Sequence, residues 1–259
     1  MGHIRLGRLP KTYSWIRVLE LLATKGDISE IAEASLLAAK SGLIRVSSDP
    51  GFIHVLATVS EFVELSTSDA FVNDLLKDGY KVAENPGLFD IVSALKARLD
   101  SDLDSGRIKS DLSEIAQNSF TEILFRYASA ETDSLFEAAP VILQNSIGKY
   151  AVRDRSKILF HAFFSTFTSK YLSYYLSREL SNHVGQGERF ENIESHQEFD
   201  KAFDSHIRGS IHLIDEFTPE WFGKEKYERR ISTQTVSRFA RLAFKKICSG
   251  FSKGGEVNR

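Results

Sequence analysis

Apolar residues recur at helical spacing along most of the chain. The clearest case lies between residues 108 and 130, where the pattern has a period close to 3.6 residues: Leu112, Ile115, Ala116, Phe120, Ile123, Leu124 and Tyr127. Shorter patterns of the same kind occur at residues 15–22, 31–38, 52–62, 89–95, 199–214 and 236–247. The sequence therefore predicts an all-α protein with a multi-helix globular bundle.

Several of these patterns begin with residues that favour a helix start. A capping residue is followed by proline, whose missing N–H costs nothing in the first turn, at Asp49-Pro50, Asn85-Pro86 and Thr218-Pro219. Asp27 and Glu30 have the spacing of a capping box. Such starts are difficult to reconcile with an all-β or α/β fold, and they predict about eight to ten helices.

The longest helical pattern covers residues 157–184 and is unusually aromatic. Its apolar side chains are distributed around nearly the whole circumference: Leu159, Phe160, Phe163, Phe164, Phe167, Tyr171, Leu172, Tyr174, Tyr175 and Leu176. A helix that is apolar all round is typical of a buried position, so we expect this one to be the central helix. Gly185-Gln186-Gly187 is expected to end it.

The sequence suggests three regions. They are an N-terminal helical region (1–105), a C-terminal helical core (106–253) and a flexible tail (254–259). In the first region, residues 43–56 allow two interpretations. They could form a β-hairpin, which after two helices would give a winged helix-turn-helix. The Asp49-Pro50 cap instead favours the start of a helix, and that interpretation is preferred.

The composition is that of an ordinary soluble protein, with 42% hydrophobic and 26% charged residues. The core is expected to be aromatic, because 19 Phe accompany only one Met and two Trp. Cys248 is the single cysteine, so no internal disulfide can form. No stretch of about 18 apolar residues is present, and none resembles a signal peptide. We expect a cytoplasmic protein with no membrane span.

Charge is unevenly distributed although the formal net charge is only −2. Residues 51–104 contain four Lys/Arg and ten Asp/Glu, whereas residues 221–253 contain nine Lys/Arg and two Glu. Such asymmetry can determine which partner is bound and in which orientation.

The basic C-terminal segment provides the candidate binding residues. Arg238, Arg241 and Lys245 follow a spacing that places them on one stripe of the last helix, and the other members of the group are Arg229, Arg230 and Lys246. A second basic group, Arg5, Arg8, Lys11 and Arg17, lies in an N-terminal segment that Gly7 and Pro10 predict to be an extended arm. Both groups could contact an acidic protein surface or nucleic-acid phosphates.

Candidate chemistry is sparse elsewhere. Four of the seven histidines lie between residues 183 and 212. Glu179/His183 and His212/Glu216 are pairs in which a carboxylate stands at helical spacing from a histidine. No zinc-enzyme motif accompanies them.

His161 is expected to be a buried histidine with one hydrogen bond. Cys248 is expected to be a structural thiol, although Lys245 and Lys246 could lower its pKa. Asp100, Asp102 and Asp104 are interpreted as a solvated helix end.

These observations favour a non-enzymatic helical subunit or adaptor of a cytosolic protein assembly, with another protein as its partner. The first alternative is a nucleic-acid-binding protein that uses the basic C-terminal helix. The second is a metal-dependent enzyme that uses the His/Glu region at residues 179–216. No catalytic, metal-binding or cofactor-binding residues are assigned, no cofactor is expected, and no feature of the sequence indicates the oligomeric state.

Overall fold

The computed structural model of the protein describes residues 7–130, 140–209, 211–228 and 232–254. Across these ranges the fold is all-α, as predicted, with eleven α-helices and no β-strand. The helices are α1 Tyr13–Ala23, α2 Ile28–Val46, α3 Pro50–Leu65, α4 Phe71–Lys77, α5 Leu88–Ser105, α6 Asp111–Ser129, α7 Pro140–Gly148, α8 Arg153–Ser181, α9 Ile193–Gly209, α10 Thr218–Glu228 and α11 Thr233–Gly254. Two 3₁₀ turns occur at Lys149–Ala151 and His212–Ile214. No pattern in the sequence predicted α4.

The chain divides into two compact units that interleave along the sequence. Unit 1 contains the chain up to Arg45, the segment Phe164–Ile214 and the chain from Leu242 onward. Unit 2 contains Val46–Phe163 and Asp215–Arg241. The divisions fall inside α2, α8 and α11, so each of these helices contributes residues to both units. The predicted boundary between residues 105 and 106 stays a prediction.

Residues 43–56 belong to helices. α2 continues to Val46, and α3 begins at Pro50. Asp49 caps α3, because its carboxylate accepts a hydrogen bond from the amide of Phe52 at 2.7 Å. The predicted helix start is therefore confirmed. The β-hairpin alternative, and with it the winged helix-turn-helix, is wrong because the cap and proline commit this segment to a helix.

The start of α3 is joined to the start of α6. Ser110 caps α6 by accepting a hydrogen bond from the amide of Ser113 at 3.1 Å, and its hydroxyl donates to the Asp49 carboxylate at 3.0 Å. Gly51 permits this close approach, since a Cβ there would lie 2.3 Å from the carbonyl oxygen of Ile108. A side chain at position 51 would push the two helix starts apart.

Two other predicted helix starts differ in detail. The Asp27 carboxylate accepts from the amide of Ser29 at 2.8 Å, which is one residue earlier than the predicted bond to Glu30. The Asn85-Pro86 pair does not cap α5 directly, because that helix begins at Leu88. The helices themselves are present at both places, so the local signals located them to within a few residues.

In unit 2, α3 packs against α4, α5, α6 and α7 and is buried along most of its length. Phe62 joins these helices, with its ring 5.9 Å from the rings of both Phe71 in α4 and Phe120 in α6. Edge-on ring contacts of this kind hold aromatic side chains in defined orientations. The predicted aromatic core is therefore present in this unit.

A second aromatic cluster in unit 2 surrounds Phe160 on α8. The centroid of its ring lies 5.6 Å from those of Trp221 and Phe222 in α10 and 5.4 Å from that of Phe239 in α11. Trp221 and Phe239 also stack directly, with centroids 3.9 Å apart and planes inclined by 10°. This cluster joins α8, α10 and the first part of α11.

In unit 1, the second part of α8 packs against the end of α11 and against α2. Phe164 and Phe167 contact the ring of Phe244 at 5.3 and 5.8 Å. A Cβ at Gly42 in α2 would lie 2.1 Å from the Tyr171 hydroxyl, so any other residue at this position would displace the Tyr171 side chain. Large aromatic side chains thus fill the space between helices, and glycine provides the room for them.

The observed limits of α8, Arg153–Ser181, are close to the predicted 157–184. Its phenylalanines are fully buried: Phe160, Phe163, Phe164 and Phe167. Its proposed central position in the protein stays a prediction. The helix predicted over residues 199–214 ends instead at Gly209, and a 3₁₀ turn follows.

Candidate functional site

The predicted basic stripe lies on an amphipathic helix, α11. One face is buried and consists of Val236, Phe239, Ala240, Ala243, Phe244, Ile247 and Cys248. Arg238, Arg241 and Lys245 are exposed on the other face. Their spacing of three and four residues places them on one side of the helix, and the continuous α11 alone determines this arrangement.

The buried face fixes the first part of α11 within unit 2. Phe239 stacks on Trp221, as described above, and the hydroxyl of Ser237 donates to the carbonyl oxygen of Ser47 at 2.8 Å. Because packing and a hydrogen bond hold this part of the helix, its exposed side chains project from a rigid support.

The exposed cations of α11 make no ion pair with any residue that the structure describes. Leu242 lies among them and is 42% exposed. We call Arg238, Arg241, Leu242 and Lys245 the basic face of α11. Lys246 is half-buried beside this face.

The remaining predicted binding residues are not brought to this face by any observed contact. Arg5, Arg229 and Arg230 lie outside the described residues. Arg8 is exposed, in a segment that precedes α1 and has no helical structure. The neighbouring Gly7 donates its amide hydrogen to the carbonyl oxygen of Tyr174 at 2.8 Å, so this part of the predicted arm packs against α8.

The histidines between residues 183 and 212 do not converge. His183 Nδ1 lies 3.7 Å from Glu188, and His196 Nε2 lies 3.7 Å from Asp200. The predicted helical pairing of Glu179 with His183 is wrong, because α8 ends at Ser181. His212 lies in a 3₁₀ turn, with its Nδ1 3.2 Å from the Gly209 carbonyl oxygen, so it does not form the predicted helical pair with Glu216. Among the described residues, no three His, Cys, Asp or Glu side chains form a group that could hold a metal ion.

His161 and Cys248 have well-defined surroundings. His161 is only partly buried, and its Nδ1 lies 3.0 and 3.2 Å from the two carboxylate oxygens of Asp215. His161 is thus less buried than predicted, whereas its pairing with a hydrogen-bond partner is confirmed. Burial raises the pKa of the Cys248 thiol to about 11. Lys245 and Lys246 therefore do not lower this pKa, because desolvation of the thiolate dominates.

A polar cavity in unit 2 was not predicted from the sequence. It has a volume of about 330 Å³. Its walls come from α3, from the segment after α4 and from α5: His54, Thr58, Glu61, Phe62, Leu65, Asp78, Tyr80, Arg98 and Asp102. The sequence does indicate that the α3 residues of the cavity share one face of that helix, because they recur every three or four positions. Their pairing with α5, however, depends on the tertiary fold.

Arg98 organises one wall of this cavity. Its Nε donates to both carboxylate oxygens of Asp102, at 3.0 and 2.9 Å, and its Nη1 donates to the carbonyl oxygen of Asp78. The guanidinium carbon lies 5.9 Å from the centroid of the Tyr80 ring. Asp102 is therefore not the solvated helix-end residue that the sequence predicted.

The opposite wall carries a carboxyl group with a perturbed pKa. Partial burial, followed by the nearby carboxylates of Asp78 and Glu64, raises the pKa of Glu61, even though Glu61 lies at the exposed rim. Burial, with a further contribution from Glu61, raises the pKa of Tyr80 to about 12. Three carboxyl groups, those of Glu61, Asp78 and Asp102, thus line the cavity together with one arginine, Arg98.

Comparisons with known proteins do not assign the chain to a family: no family model matches it, and neither the curated proteins nor the solved structures gave a match. None of the described helices is both long and apolar enough to cross a membrane.

Proposed function

We propose that this protein is a helical adaptor that binds an acidic partner protein through the basic face of α11. The observation that carries the proposal is the combination of Arg238, Arg241 and Lys245, without ion pairs in the described part of the chain, with the exposed Leu242 between them. Because the first part of α11 is held by packing in unit 2, binding requires little ordering of the part that carries Arg238 and Arg241.

The three cations and the leucine would contribute in different ways. Exposed cations gain little free energy from a single ion pair, but together they accelerate the encounter with an acidic surface and select its orientation. Leu242 would add the burial of apolar area, which gains roughly 25 cal/mol per Å² removed from water. Charge would thus determine which partner docks, and Leu242 would lengthen the life of the complex.

Nucleic-acid binding is the second candidate, because the same three cations could neutralise phosphates. The position of Leu242 favours a protein instead. A phosphate backbone offers no apolar surface to bury a leucine, whereas a groove on a protein does. The metal-dependent alternative has no comparable observation in its favour.

The test uses charge reversal on the full chain. The variant R238E/R241E/K245E inverts the basic face, and K81E/K96E/K201E is the matched control, since it reverses three exposed lysines on other surfaces. Wild type and both variants are used as baits in affinity capture from cells of the native host, with and without nuclease. Binding to labelled duplex DNA and to RNA is measured in parallel over a range of salt concentrations.

We expect a prey protein that is retained by wild type and by the control, resists nuclease, and is lost with R238E/R241E/K245E. L242K separates the two candidates, because it should weaken a protein complex while strengthening attraction to phosphates. Preys that are identical for all three baits would disprove the adaptor proposal. Salt-dependent nucleic-acid binding that L242K strengthens would replace it with the second candidate.

A further inference from the structure

We propose that the cavity between α3 and α5 in unit 2 binds a small organic cation that carries a protonated amine or a guanidinium group. The proposal concerns a different surface from the basic face of α11 and does not depend on the adaptor function.

The cavity has the size and the walls of a ligand site. Its volume of about 330 Å³ is within the usual range for small-molecule pockets. Phe62, Leu65 and Tyr80 provide apolar and aromatic wall, and Phe62 and Tyr80 are buried. An aromatic face attracts cations, and Tyr80 already lies beside the guanidinium of Arg98.

The charges of the cavity select a cation. Arg98 is occupied by Asp102 and by the carbonyl oxygen of Asp78. The carboxyl groups of Glu61 and Asp78 make no ion pair within the described part of the chain. Both carboxyl groups line the same cavity, where the charge of one disfavours ionisation of the other, and a bound cation would relieve that repulsion.

His54 is an independent indication that the polar groups of the cavity are not fully satisfied. Its Nε2 is buried in the wall and lies 3.4 Å from Asp102, but it has no hydrogen-bond partner among the described residues. Buried polar atoms are normally hydrogen-bonded, and an unsatisfied one calls for an explanation. A ligand with several N–H groups would donate one hydrogen bond to this nitrogen and another to the Asp102 carboxylate.

The test is isothermal titration calorimetry of the full chain with agmatine, which carries an amine and a guanidinium group. Butylamine tests the amine alone, and butyrate is the control of opposite charge. The capped peptide Gly-Arg-Gly presents the same guanidinium as a side chain, so it distinguishes a free metabolite from a basic residue of another chain. The variant E61Q removes the rim charge, and E198Q is its control on an exposed surface of α9. Circular dichroism verifies that each variant is folded.

We expect agmatine to bind one site per chain with a Kd below about 1 mM, corresponding to roughly −4 kcal/mol. E61Q should weaken binding about tenfold or more, since a charge-assisted hydrogen bond is lost, and E198Q should leave it unchanged. Tighter binding of agmatine than of the peptide would identify a free cation as the ligand. The absence of binding by agmatine, butylamine and the peptide up to about 10 mM would overturn the proposal, and so would wild-type affinity in E61Q.

Discussion

Phe160 provides a quantitative test of the aromatic packing in unit 2. Its side chain is fully buried and contacts the rings of Trp221, Phe222 and Phe239. Replacing a buried phenylalanine by alanine costs about 3–5 kcal/mol, because apolar contacts are lost and a cavity remains. The three ring contacts place Phe160→Ala in the upper half of that range, and we expect a loss of about 4 kcal/mol in the free energy of unfolding.

The comparison needs a phenylalanine in a less constrained setting. Phe89 is 40% exposed and has its ring 5.1 Å from that of Phe125. Phe89→Ala removes the same atoms, but we expect a loss of only about 1–2 kcal/mol, because part of the ring is already in water. Phe160→Leu keeps much of the buried volume and should also cost about 1–2 kcal/mol.

Thermal unfolding followed by far-ultraviolet circular dichroism measures these differences. For a chain of this size, about 1 kcal/mol shifts Tm by roughly 2–4 °C, so Phe160→Ala should lower Tm by about 8–16 °C. Urea unfolding followed by tryptophan fluorescence gives a second measure, since Trp221 touches the altered site. If Phe160→Ala is no more destabilising than Phe89→Ala, the cluster around Phe160 does not have the packing described here.

Two further predictions concern pKa values. The pKa of Glu61 is raised above its ordinary 4.5 in the folded protein, so the folded state holds this proton more tightly than the unfolded chain, and ionisation of Glu61 lowers stability as the pH rises through the raised pKa. Glu61→Gln should therefore increase Tm at about pH 7–8 and change it little near pH 4; an equal change at both pH values would contradict this reasoning. Cys248, with its pKa raised to about 11, should react with a disulfide reagent at about pH 8 only after the protein is unfolded. Rapid reaction of the native protein would show that this thiol is accessible.

Local sequence signals predicted most of the fold. The all-α class followed from the 3.6-residue patterns, and the Asp49-Pro50 signal located the start of α3. These features succeed because capping and amphipathic periodicity act over a few residues. α4 was not predicted, since its seven residues are too few to display a clear period.

The basic face of α11 was predicted from the sequence and the cavity was not, because the sequence signals act over only a few residues. The exposure of Arg238, Arg241 and Lys245 follows from the period of a single helix, and it is observed. The cavity requires Glu61 on α3 to meet Arg98 on α5, and no local pattern encodes that meeting. The sign of the pKa shift of Cys248 could not be predicted either, because desolvation depends on how the helix is packed.

The bond between Asp49 and Ser110 has a consequence for the order in which the protein can assemble. The two residues are 61 positions apart, yet each completes the hydrogen bonding at the beginning of its own helix. During synthesis, Asp49 can cap α3 as soon as this helix forms, whereas its bond to Ser110 can form only after α4 and α5 have been made and Ser110 has left the ribosome. The contact that holds the starts of α3 and α6 together is thus expected to form only after this whole segment has been made.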